Sequence, residues 1–179
     1  MRSVVSLAVA LVATLGLGAL LGFVWEALSP RVTLIVASDG RAYPEGFQPE
    51  GYATDDGIAA ILCVAAGILI GLIAVGITRR ALPPERALPV ALALGIVLGI
   101  VGSLALWWVG EHRGGFDLTE AVSVASQGDV ITAPLDLRMS GVLVLWPASS
   151  VLVVFLAALG EWLRGRHPAG RSSSAVRTN

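Results

Sequence analysis

Residues 57–78, GIAAILCVAAGILIGLIAVGIT, decide the fold: the stretch runs for 22 residues without a charged side chain. A bilayer core about 30 Å thick is crossed by roughly 20 mostly apolar helical residues. A surface helix of a soluble domain would instead carry a polar face. Three further stretches qualify, at residues 4–25, 87–109 and 141–163; the first two are uncharged, and the last carries only Glu161 near its end. The whole chain of 179 residues is 55% hydrophobic and 14% charged, with a mean hydropathy of +0.80. Such a composition is too apolar for an ordinary soluble domain. The expected fold is an all-α membrane protein with four transmembrane helices and a small mixed α/β extracytoplasmic cap. Residues 1–163 form the transmembrane domain, with outer loops at 26–56 and 110–140, and residues 164–179 a disordered basic cytoplasmic tail.

Arg2 before an apolar run also suits a signal peptide, but that run is about 20 residues where a signal core is roughly 7–15. The small pair Ala27 and Ser29 is followed by Pro30, a poor cleavage position. An uncleaved anchor is therefore expected. Arginine then sets the orientation, since positive residues of short loops stay cytoplasmic. Arg2, Arg79, Arg80, Arg86, Arg164, Arg166, Arg171 and Arg177 fall on one side, against Arg31, Arg41, Arg113 and Arg138 on the other. That second side also holds eleven of the thirteen acids. Both termini should be cytoplasmic, both long loops outside, and the membrane the plasma membrane.

At residues 104–115, LALWWVGEHRGG, two tryptophans are followed by Glu111, His112 and Arg113. Tryptophan gathers at membrane interfaces because its ring is apolar and its N–H wants a polar partner. Trp25, Trp107, Trp108 and Trp146 would anchor the outer face and Trp162 the inner one, with Glu111, His112 and Arg113 as boundary residues. Glu26, Glu111 and His112 are the outer-face candidates for an acid–base site. Trp25-Glu26 also closes the first span much as Trp108 to Glu111 closes the third, so the halves could form a parallel repeat of the kind some transporters have. General anchoring, since every outgoing helix needs an aromatic anchor and a polar stop, is the preferred reading of the likeness.

Gly18/Gly22, Gly67/Gly71 and Gly95/Gly99 are small-xxx-small pairs, which let helix backbones approach in lipid. Pro147 removes the donor that would meet the Leu143 carbonyl and should bend the fourth span; Pro89 lies in the first turn of the third, where this costs little. No ionisable residue lies at mid-depth, where proton relays are usually marked. Cys63, the single cysteine, falls in the second span as a small packing residue.

In RVTLIVASDG, Val32, Leu34 and Val36 alternate in strand fashion before the turn signal Asp39-Gly40. DLTEAVSVASQG has Asp117 and Glu120 at capping-box spacing and Gly128 as a stop, a short amphipathic helix. GDVITAPLDL reads as extended, with Pro134 at an edge or bend, and a strand from each loop could pair. Asp39, Glu45, Glu50, Asp55 and Asp56 lack the spaced pattern of a calcium loop and read as solvated acids. His112 and His167 lie on opposite sides, too far apart to share a metal. No phosphate loop, GxSxG or HExxH is present. No catalytic, cofactor-binding or metal-binding residue, no cofactor and no nucleic-acid partner is expected; lipid bilayer is, together with another envelope membrane protein or self-association.

Residues 133–147, APLDLRMSGVLVLWP, with SPRVTLIVASDG after the first span and WWVGE after the third, resemble an actinobacterial family of small four-span membrane proteins of unknown function. The resemblance covers most of the chain except the tail and implies architecture without activity. Twelve arginines and no lysine suit a high-GC source. The expectation is a non-enzymatic accessory or structural envelope protein whose outer cap contacts a partner; the alternative is a small oligomeric transporter or permease subunit.

Overall fold

The computed structural model describes residues 2–46 and 49–165. The tail beyond Gly165, with His167, and the side chain of Glu50 lie outside the described residues. Four long helices, α1 (Arg2–Leu28), α2 (Pro49–Ala81), α3 (Pro84–Gly114) and α5 (Val142–Gly165), are each long and apolar enough to cross a membrane. Between them come β1 (Thr33–Val36), β2 (Ala42–Pro44), the short α4 (Leu118–Ser123) and β3 (Val130–Thr132). The helices outrun their apolar spans: α2 begins eight residues before Gly57, and α3 carries Glu111, His112 and Arg113 on its last turns.

α3 is the hub. It packs along α1, α2 and α5, while α1 has no substantial contact with α5. A two-fold repeat would match the α1–α2 pair to α3–α5. The first barely touches and the second is extensive, so the halves are arranged unequally. The core runs from Cys63, Ala66 and Ile70 through Leu98 and Leu106 to Trp25 and Trp146. Without a hydrophobic drive between helices in lipid, close backbone packing has to hold such a bundle. All six glycines of the three pairs lie at helix–helix contacts. A Cβ at Gly22 would fall 2.6 Å from the Leu106 carbonyl oxygen, one at Gly71 2.9 Å from Val153 Cβ, and one at Gly99 2.7 Å from Pro147 Cα. Gly18 faces the Gly102 carbonyl, Gly67 that of Trp146, and Gly95 the Ser150 side chain.

Two tryptophans depart from expectation. Trp25 and Trp146 are fully buried rather than spread along an interface. Each sits in a notch of α3: Trp25 against Gly110 and Trp146 against Gly102, where a side chain would collide with the ring. Trp108 and Trp162 remain exposed, as an anchor requires.

The cap is a three-stranded antiparallel sheet in the order β2-β1-β3. Val32, Leu34 and Val36 are buried, as their alternation predicts, the first two packing with Ala133, Ala42, Leu118 and Ile131. β1 and β3 pair Leu34 with Ile131, so one strand from each connecting segment does meet the other. β2 was not expected; it returns from β1 through a turn with Gly40 at φ 71°. Tyr43 donates to Asp39 at 2.7 Å, and that phenol, followed by the Arg41 N–H and charge, holds the Asp39 carboxyl below its ordinary pKa despite some desolvation. Asp117 caps α4 through the N–H groups of Thr119 and Glu120, but the helix ends at Ser123, short of the glycine stop. Ser126 and Asp129 close a turn instead, with Gly128 at φ 92°.

Candidate functional site: the strap across the bundle end

Residues 133–140 cross the end of the bundle as an extended strap from β3 to α5. Its period of two sends Ala133, Leu135 and Leu137 inward and leaves Asp136 and Arg138 exposed. Leu135 and Leu137 enter the same core cluster as Trp25 and Trp146, so cap and bundle share one apolar interior.

An extended segment away from a sheet must find other partners for its backbone. The strap finds them on the ends of α2 and α3 and on the segment leading into β1. Leu135 N–H donates to the Gly114 carbonyl at 2.9 Å, and Ala133 N–H to that of Val32 at 2.8 Å. Glu111 accepts from Leu137 N–H at 3.3 Å. The Asp56 carboxylate accepts from two successive strap groups, Arg138 N–H at 3.3 Å and Met139 N–H at 2.9 Å. Asp55 and Asp56 are thus buried, at 7% and 4% exposure, and are not solvated acids. Asp56 holds the strap, while the Asp55 carbonyl accepts the Trp25 indole N–H at 2.9 Å. Trp146 Nε1 is buried without a hydrogen-bond partner among the described residues.

The three candidate acid–base residues do not converge. Glu26 pairs with Arg31 at 2.8 Å, and Arg31 also donates to the Gly114 carbonyl at 3.2 Å, tying the end of α1 to the end of α3. Glu111 faces the strap. His112 lies over Trp108, ring centroids 4.2 Å apart, with Nδ1 3.0 Å from the Trp108 carbonyl. Arg113 sits 4.6 Å over the Phe23 ring, a cation–π contact between α3 and α1. Glu111 and His112 do border one open depression of about 530 Å³ together with Phe116, Pro134 and Asp136. Glu26 is not part of it. Among the described residues no three His, Cys, Asp or Glu side chains gather as a metal site would need. What this arrangement does chemically is fix backbone: Glu111 and Asp56 are hydrogen-bond acceptors for a strap.

Sequence reasoning missed what Asp56 and Arg31 do, reading the first as a solvated acid and the second only as a charge that sets orientation. The one available signal was position, since Asp56 directly precedes the apolar run at Gly57 and so stands where a buried segment end begins. No family model, curated protein or solved structure matches the chain. Four apolar helices and a fastened cap define a multi-pass membrane protein.

Proposed function

We propose that the chain is a non-enzymatic accessory or structural protein of the plasma membrane, with both termini cytoplasmic and the cap outside, and that the cap docks on another envelope membrane protein. One observation carries the reading: the cap is locked to the bundle by the strap while presenting exposed apolar side chains. Val124 is 83% exposed and Val130 63%, with Tyr43 also uncovered on the same cap. A surface already ordered loses less conformational freedom on binding than a mobile loop does. A place among the small four-span actinobacterial proteins that residues 133–147 resemble is part of the same proposal. An enzymatic role has less support, since Glu26 and Glu111 both face structural partners. The carrier reading has less support too, because Thr14, Thr78, Ser103 and Ser150, hydroxyls buried in the spans, are all taken up by helix carbonyls, the first three in their own helices and Ser150 on α2.

Two measurements test it. A reporter active only outside should work when fused after Gly46 or Gly128 and fail after Pro83 or Ala169; activity at Ala169 would overturn the orientation. Purified in mild detergent, the full chain should bring down a different membrane protein in stoichiometric amount. The double variant Val124→Asp, Val130→Asp should lose that protein while keeping its unfolding temperature. Recovery of a homo-oligomer alone, stabilised by a small solute, would favour the carrier subunit instead.

A further inference from the structure

At the end opposite the cap, α2 and α3 are joined by a tight turn: Leu82 N–H bonds the Thr78 carbonyl, and Arg86 and Ala87 N–H both bond that of Pro83. Arg80 and Arg86 therefore flank the same turn, and both are exposed. The neighbouring arginines are engaged. Arg79 reaches Glu161 on α5 at 2.7 Å and the Ala157 carbonyl at 3.3 Å, and Arg164 bonds Gly160 in its own helix at 3.0 Å. The side chains of Arg80 and Arg86 form no hydrogen bond or ion pair with any described residue. With Glu161 neutralised by Arg79, Glu85 is the one described acid left at this end beside Arg80, Arg86 and Arg164.

The apolar surface beside them fixes the medium. Ile77, Trp162 and Leu163 are half exposed or more, as lipid-facing side chains, and the arginines begin where that surface stops. In a bilayer this level is the headgroup layer. A guanidinium matches a phosphate with paired N–H groups. A zwitterionic headgroup sets its own cation against that attraction, whereas an anionic one leaves net charge to complement the arginines.

We propose that the α2–α3 turn, through Arg80 and Arg86, is a binding surface for anionic phospholipid headgroups. The inference is independent of which side of the membrane the cap occupies and of whether the cap binds a partner.

The test uses the full chain in mild detergent, titrated with phosphatidylglycerol, with bound lipid counted by native mass spectrometry. Phosphatidylcholine is the neutral control and inorganic phosphate the competitor. The chain should retain phosphatidylglycerol in preference to phosphatidylcholine. Each of Arg80→Gln and Arg86→Gln should weaken it about fivefold, and the double variant about twentyfold, from the attraction of one surface arginine for an anionic bilayer. Replacing Arg166, Arg171 and Arg177 by glutamine should leave most of the binding intact. Equal affinity in the double variant, no preference over phosphatidylcholine, or loss on the tail variant alone would each overturn the assignment. Displacement by an equal concentration of inorganic phosphate would overturn it as well, by making free phosphate the ligand.

Discussion

Replacing Gly67 by alanine should destabilise the bundle by about 2–4 kcal/mol, while the same change at Gly16 should stay within about 0.5 kcal/mol. A Cβ at Gly67 would press on the Trp146 carbonyl oxygen and lie 2.8 Å from Ser149 Cβ. A carbonyl cannot swing aside as a side chain can, so α2 and α5 have to part. Overpacking of this kind costs about 1–3 kcal/mol. Parting also stretches the bond from Ser150 Oγ to the Gly67 carbonyl, 2.8 Å long and fully buried. Interhelical bonds of this sort contribute about 0.6 kcal/mol in membranes. Gly16 and Gly76, by contrast, have nothing within 4 Å of the added methyl. Unfolding in detergent, followed by the exposure of Cys63 to a thiol reagent, reads the difference. If Gly67→Ala and Gly16→Ala unfold alike, the close approach of α2 and α5 is not what holds the bundle.

The contrast between those glycines marks where sequence reading stops. The spans are legible because crossing a bilayer is a requirement on summed hydropathy, and four stretches meet it. Strand alternation at Val32, Leu34 and Val36 is legible for a similar local reason. β2 is not: AYP is three residues with a proline, and it becomes a strand only because β1 offers an edge and Gly40 turns the chain back. Tryptophan is ambiguous in itself. Trp25 and Trp108 both end a span, yet Trp25 is buried because Gly110 leaves it a notch, while no partner helix covers Trp108. Asp55 and Asp56 read as solvated acids ahead of the span that starts at Gly57. The structure continues α2 through them, and the strap, arriving from 82 residues further along the chain, gives Asp56 its donors. Pairings at that distance leave no local trace. Glu26, Glu111 and His112 were legible as residues at a polar boundary, but their separate partners, Arg31, the strap and Trp108, were not.

Asp56 accordingly carries the second large effect expected. Changing it to alanine leaves the N–H groups of Arg138 and Met139 without their acceptor beneath a strap whose leucines are already inserted in the core. Hydrogen bonds to a charged group contribute about 1.5–3 kcal/mol each. The Arg138 bond, at 3.3 Å, sits at the weak end and the Met139 bond, at 2.9 Å, nearer the middle. The strap should lose about 2–4 kcal/mol of its hold. Asp56→Asn keeps an uncharged acceptor and should lose roughly half as much. Glu111→Ala, removing one 3.3 Å bond, should lose about 1 kcal/mol. Asp136→Ala, on the exposed side of the strap, should change nothing measurable. Trypsin supplies the readout, since cleavage of an ordered segment requires local opening whose population follows the strap's own stability. Cutting at Arg138 in reconstituted protein should speed up by about thirtyfold or more in Asp56→Ala, a few-fold in Glu111→Ala, and not at all in Asp136→Ala. Cleavage at Arg138 in Asp56→Ala at the unaltered rate would mean that Leu135 and Leu137 alone anchor the strap. Asp56 would then be a buried acid without a structural task, and the cap's rigidity would have to be explained by apolar contact only.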